Sequence, residues 1–188
     1  MNAQIDVSRV VLRTERLVLR PWRPSDLEDF YAYASVDGVG QMAGWKPHAD
    51  REESRRILDR FIAHKRTFAL DYQGKVIGSL GVELYDEKQF PEFDGKRCRS
   101  IGFVLSRDYW GRGLMPEAVK EVLRWLFEDV GLDLVLCSHF LSNKRSHRVQ
   151  EKCGFRSYAF GTYETAFGTL EDEEIHILTR EDWLAAKG

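Results

Sequence analysis

The stretch Ile101-Gly102-Phe103-Val104-Leu105-Ser106-Arg107-Asp108-Tyr109-Trp110-Gly111-Arg112-Gly113-Leu114-Met115-Pro116-Glu117-Ala118 decides how the chain is read. Ile101, Phe103 and Leu105 alternate with their neighbours as one face of a strand does. A short polar loop and two glycines follow. From there Met115, Ala118, Val119, Val122, Leu126 and Val130 recur at helical spacing, which predicts a helix over Leu114 to Val130. Proline is tolerated in a first helical turn but not in an interior, so Pro116 fixes the helix start near Leu114. A helix that begins straight after a glycine turn presents unpaired backbone N–H groups and the positive end of its dipole, which suits a phosphate. Gly111 and Gly113 let the backbone approach such an anion closely, and Arg112 adds charge. Two rival anion motifs fit poorly. A P-loop needs Gly-Lys-Ser/Thr where this chain has Gly113-Leu114-Met115. A dinucleotide fold needs a third glycine and an acidic residue ending the next strand.

Downstream, Leu132 to His139 reads as a strand and Asn143 to Cys153 as a short helix, with Asn143 at the N-cap and Gly154 as the C-cap. Ser146, Val149 and Cys153 share one face of it; Lys144, Arg148 and Lys152 lie on the other side. Strands near Phe155 to Tyr163 and Ile175 to Thr179 follow, joined by a hairpin around Gly168 and an acidic run, and a short segment with Trp183 ends the chain. Upstream, Val10 to Arg20 reads as a strand stopped by Pro21 and Pro24. Ser25 with Glu28 reads as a capping box opening a helix whose stripe is Leu27, Phe30, Tyr31 and Ala34. Gly38 to Pro47 is a loop or broken helix, and Asp50 to Lys65 a second helix. Thr67 to Tyr72 and Lys75 to Tyr85 form a hairpin about Gln73-Gly74. Glu87 to Lys96 is a loop, and Arg97 to Leu105 the strand that leads into the glycine turn. Strands first, then strands alternating with helices, give a mixed α+β arrangement rather than a doubly wound parallel sheet.

The 188 residues are 43% hydrophobic and 31% charged, with a net charge of −2. That length fits a single domain over 1–188 with its own core. The near-neutral balance gives no global field for nucleic acid or anionic membrane, so any anion site must be local. Three dispersed cysteines, Cys98, Cys137 and Cys153, are no disulfide framework and read as reduced thiols. No stretch is apolar enough for a signal peptide or a membrane span, so a cytoplasmic protein is expected. His48, His64, His139, His147 and His176 do not pair at ligand spacing, so no metal is expected.

A strand, then W-G-x-G at Trp110 to Gly113 opening a long helix, then a strand, then N-x-x-S at Asn143 to Ser146 in a helix closing on Gly154-Phe155, resembles the GNAT acetyltransferase family. The opening Thr14-Glu15-Arg16-Leu17-Val18-Leu19-Arg20-Pro21 and the tail from Asp172 to Trp183 are similar to its branch of bacterial ribosomal-protein N-terminal acetyltransferases. The resemblance spans nearly the whole chain. It implies a twisted mixed sheet, flanked by helices, whose two central parallel strands splay apart, with acetyl-CoA in the splay. Phe103, Val104 and Leu105 would pair with the pantetheine arm, and the N–H groups of Gly111, Arg112, Gly113, Leu114 and Met115 would hold the pyrophosphate beside Trp110. Asn143 would bond the coenzyme or fix the neighbouring strand, and Lys144 or Arg145 would reach the outer phosphate. The family often has a small residue where this chain has Met115. Where many members have a tyrosine general acid, this chain has Gln150, whose amide cannot serve; the resembled branch points to Ser146 instead.

The expected reaction is direct transfer of acetyl to a primary amine held beside the thioester. Glu83, on the strand beside the coenzyme strand, is the first candidate for general base and His139 the second; the run Asp172 to Glu174 is the third. Trp45 and Tyr85 are candidates for lining the acceptor pocket. The acceptor is a protein or peptide N-terminus, or alternatively a small amine such as a polyamine, aminoglycoside or amino acid. A non-catalytic coenzyme-A-binding regulatory module is the non-enzyme alternative. Monomer and homodimer both remain open.

Overall fold

The computed structural model describes residues 1–187. Eight strands form one sheet: β1 Leu12–Arg13, β2 Val18–Pro21, β3 Thr67–Tyr72, β4 Lys75–Glu83, β5 Cys98–Leu105, β6 Leu134–Phe140, β7 Arg156–Glu164 and β8 Leu170–Thr179, in the spatial order β1-β2-β3-β4-β5-β6-β8-β7. The helices are α1 Leu27–Ala34, α2 Arg51–His64, α3 Leu114–Arg124, α4 Lys144–Lys152 and α5 Arg180–Ala185. All neighbouring strands are antiparallel except β5 and β6.

That parallel pair creates the site. It runs only from Cys98↔Leu134 to Ile101↔Cys137. Beyond Ile101, β5 continues to Leu105 against β4 alone (Leu80↔Phe103, Gly78↔Leu105), and β6 continues to Phe140 against β8. The two strands therefore separate like a wedge, leaving an unpaired edge on β5.

The sheet is covered on both faces. On one face α3 buries Leu114, Met115, Ala118, Val119, Val122 and Leu123 against β-strand residues that include Leu80, Val82, Val135 and Cys137. The chain widens into a π-helical turn over Trp125–Val130, where Leu126 and Phe127 are fully buried, and stops at left-handed Gly131. Each such side chain contributes about 1.5–3 kcal/mol by leaving water. On the other face, α1 and α2 pack Phe30, Tyr33, Ala34 and Leu58 against Ala69 and Val76. A third cluster, Tyr85, Phe90 and Phe93 on Leu134, Leu136, Ile175 and Ile177, fills the far end of that face.

Three expectations are corrected. Val10 to Arg20 is not one strand but a small hairpin, β1 and β2, because Thr14 and Leu17 bond across a turn (Thr14 N–H to Leu17 O, 2.9 Å; Leu17 N–H to Thr14 Oγ1, 2.9 Å). The capping box at Ser25 and Glu28 does not form. Asp26 takes that place: it accepts from the Arg23 N–H at 2.8 Å and is clamped at 2.9 Å by both terminal nitrogens of buried Arg20, while Glu28 pairs outward with Arg51. β8 starts at Leu170 rather than Ile175, so the acidic run belongs to a strand.

Candidate active site: a cleft at the strand splay

The glycine turn and the splay open into one cleft of about 430 Å³. Its walls are the β5 edge (Phe103, Val104, Leu105), the turn (Tyr109, Trp110, Gly111, Gly113), the first turn of α3 (Leu114, Met115, Pro116) and one face of α4 (Asn143, Arg145, Ser146, Arg148, Val149, Lys152). Val39, Met42 and Ala43, from the loop after α1, close the remaining side.

Gly111 and Gly113 have φ of 75° and 74°, the left-handed region that a side chain resists. This geometry turns the backbone so that the N–H groups of Gly111, Arg112, Gly113, Leu114 and Met115 donate to no acceptor among the described residues. Pro116 has no N–H to satisfy. The Met115 side chain is turned into the core, 5% exposed, so its bulk leaves that backbone donor clear. The turn is braced from the distant N-terminal hairpin. Glu117 accepts from Thr14 Oγ1 (2.6 Å), the Arg16 N–H (2.9 Å) and Arg16 Nε (2.8 Å), and Arg16 Nη1 holds the Arg112 carbonyl at 3.0 Å. Burial opposes ionisation of Glu117, but these donors outweigh it and hold its carboxyl below the ordinary value. Thr14-Glu15-Arg16-Leu17 thus has a physical task that sequence reading did not identify.

The indole N–H of Trp110 donates to Leu105 O at 2.9 Å, tying the loop to the end of β5. The Arg145 guanidinium stacks 4.3 Å above the same ring. Arg145, Arg148, Val149 and Lys152 fall at i, i+3, i+4 and i+7, one stripe of α4, and three of them are cationic. Sequence reading put Arg148 and Lys152 on the side away from Ser146. The i, i+3, i+4 rule starting at Arg145 was the signal for their place. Lys144, by contrast, is exposed and does not line the cleft. Neither does Arg112, whose guanidinium donates to Asp108 O and lies over Tyr109.

Asn143 caps α4 by accepting from the Ser146 N–H (3.1 Å), and its amide donates to Met42 O (3.2 Å), joining helix and loop. Gln150 is fully buried beneath Ser146. A carbonyl can only accept, so the Gln150 amide nitrogen faces Ser138 O (3.1 Å), and the same nitrogen donates to Ser146 Oγ at 3.2 Å. The hydroxyl proton of Ser146 is left to point elsewhere.

The base candidates lie outside this cleft. Glu83 stands level with Ser100, on the closed side of the splay, 47% exposed and 3.7 Å from Arg66. His139 is on the β6 face turned to α4, in contact with His147 (Nε2 to Nδ1, 3.2 Å). Burial first, then the imidazoles of His176 and His147, push its pKa down. Glu174, on β8, lies beside these histidines, its carboxylate 3.4 Å from His139 Nε2 and 3.3 Å from His176 Nε2. The expectation that no histidines meet at ligand spacing fails in three dimensions. His139, His147 and His176 come from β6, α4 and β8, so spacing along the chain could not show them converging. Trp45 packs on His48, and Tyr85 on Phe93; neither lines the cleft.

Comparison with known proteins agrees with this architecture. The family model described as "Acetyltransferase (GNAT) domain" matches residues 16–156. An N-acetyltransferase named YoaA from Bacillus subtilis is 29% identical over 178 residues, covering 90% of this chain and 97% of that protein. The [ribosomal protein uS5]-alanine N-acetyltransferase of Escherichia coli is 25% identical over 198 residues, covering 95% of each. A GNAT-family acetyltransferase structure from Bacillus anthracis superimposes with a TM-score of 0.80 at 21% identity, over 92% of this chain and 99% of that one. With three quarters of its length matched by the family model and the splayed sheet in place, the chain belongs to the GNAT acetyltransferase family.

Proposed function

We propose that this GNAT acetyltransferase moves the acetyl group of acetyl-CoA to the N-terminal amine of a peptide or protein, with the coenzyme held in the cleft at the strand splay. The observation that carries the reading is the row of unpaired N–H groups from Gly111 to Met115, set between an open β5 edge and the cationic stripe of α4. A diphosphate suits the N–H row and the helix dipole. Arg145, Arg148 and Lys152 supply positive charge for a further phosphate. The free edge at Phe103 to Leu105 suits an extended amide-bearing arm, which can pair as an added strand. Acetyl-CoA supplies an activated thioester.

The protein's own work is to hold two reactants together and to manage protons. Ser146 Oγ accepts from Gln150, so its hydrogen is free to be donated toward a leaving sulfur, the role of a general acid. No carboxylate or imidazole is among the residues that line the cleft. On this reading the acceptor amine loses its proton to water before attack. A terminal α-amine, with an ordinary pKa of about 7.7–8.0, does this far more readily than a lysine at about 10.4. That chemistry favours an N-terminus, as does the E. coli relative, which is a uS5-alanine N-acetyltransferase.

The test is calorimetric titration with acetyl-CoA, followed by thiol release in the presence of N-terminal peptides, lysine-blocked peptides and small amines. Binding with release on peptides carrying a free α-amine is the expected result. Release confined to polyamines, aminoglycosides or free amino acids would replace the peptide reading, and absence of acetyl-CoA binding would remove the cleft assignment.

A further inference from the structure

We propose that His139, His147, Glu174 and His176 form a four-ligand site for a zinc-type divalent metal ion that fastens helix α4 to strands β6 and β8. One ligand atom from each of the four lies within 4.8 Å of all the others. The closer spacings are more telling. His139 Nε2 is 3.2 Å from His147 Nδ1 and 3.4 Å from Glu174 Oε2, and His147 Nδ1 is 3.8 Å from that same oxygen. His176 Nε2 is 3.3 Å from Glu174 Oε1. A tetrahedral ion with bonds of about 2.0–2.1 Å separates its ligand atoms by about 3.3 Å.

The fold makes the convergence rigid. The β6–β8 register pairs His139 with Glu174 and Cys137 with His176, so residues 139, 174 and 176 occupy one sheet face, and α4 lays His147 across it. His176 is 2% exposed, and neither of its ring nitrogens makes an aligned hydrogen bond, Nε2 having only the Glu174 carboxylate at 3.3 Å. An unpaired buried imidazole carries a desolvation cost that a bound cation offsets. His147 Nε2 points at Glu151 Oε1, 3.3 Å away, which is how a carboxylate orients a histidine whose other nitrogen binds a metal. His147 is one-third exposed and gives the ion a way in.

The donor set selects the ion. Three imidazoles and one carboxylate suit Zn²⁺ and its neighbours, whereas Mg²⁺ and Ca²⁺ require six or more oxygens. Four protein ligands leave no open position, so the site is structural rather than catalytic. It is distinct from the cleft, which none of the four lines. His147 nevertheless follows Ser146 on α4, so the ion would steady the helix that carries the hydroxyl.

The test uses the full chain, stripped with a chelator and then titrated with Zn²⁺ and, separately, Co²⁺. One equivalent of Zn²⁺ should bind and raise Tm, and Co²⁺ should give the intense visible absorption of a tetrahedral centre. His147→Ala and Glu174→Gln should each weaken Zn²⁺ binding by at least about 100-fold, more than the loss of a ligand's orienting partner costs, with folding verified by circular dichroism. His64→Ala, on the exposed end of α2, should bind as the wild type does. No stoichiometric Zn²⁺ binding, or equal affinity in the wild type and the two ligand variants, would overturn the proposal.

Discussion

A single hydroxyl carries the strongest mechanistic claim. Ser146 is fixed by the N-cap bond of Asn143 at its amide and by Gln150 at its oxygen. Ser146→Ala should lower turnover about 100-fold while changing acetyl-CoA affinity less than about threefold, read by single-turnover kinetics and calorimetry. Full turnover in that variant would end the general-acid role. Glu83 gives the converse prediction. Since it pairs with Arg66 away from the cleft, Glu83→Gln should leave kcat/KM and its pH profile within about twofold of the wild type. The candidacy of Ser146 came from the resemblance of its Asn143 to Ser146 motif, and its place in the cleft was legible because the cap and the serine lie within one short helix. The place of Glu83 relative to the cleft was not, because a strand position alone does not tell which side of a splay a side chain occupies.

Elements act here by holding one another. The α3 N-terminus offers its donors only because Gly113 is left-handed and because Glu117 is gripped by Thr14 and Arg16 from a hairpin about a hundred residues upstream. A β-branched side chain at that φ costs about 1–3 kcal/mol and would flip the turn, so Gly113→Val should weaken acetyl-CoA binding at least about tenfold in a calorimetric titration. Glu117 predicts a pH effect. Its folded pKa is depressed, so the stability it contributes is present above the unfolded value of about 4.3 and is lost as pH falls through the folded value. Thermal melts should show the wild type more stable than Glu117→Gln at neutral pH, with the gap closing below about pH 4. Helices α3 and α4 were readable because their patterns are local. The β1–β2 hairpin was not, since a four-residue turn inside an alternating run looks like continuous strand.

Across the whole molecule the long-range arrangements were the least visible. The order of motifs gave the mixed sheet and its splay, but the meeting of His139, His147 and His176 depends on register between β6 and β8 and on where α4 lies. The three cysteines show the opposite case, where composition sufficed. All are buried, and burial pushes each thiol above its ordinary range. A thiolate is the reactive form, so a disulfide reagent should label none of them in the native protein and all three after unfolding, at the rate of global opening. Immediate labelling of one thiol would reveal a region that opens on its own.

The β5 edge beyond Ile101 has a consequence for observation. Hydrogen–deuterium exchange there becomes an occupancy gauge that needs no turnover and no knowledge of the acceptor. Amides of the glycine turn, which have no protein acceptor, should exchange within the shortest labelling times, while the paired stretch from Cys98 to Ile101 stays protected. Any molecule that seats itself as the missing strand would slow the turn and edge peptides together, so a library of thioesters could be ranked by protection alone.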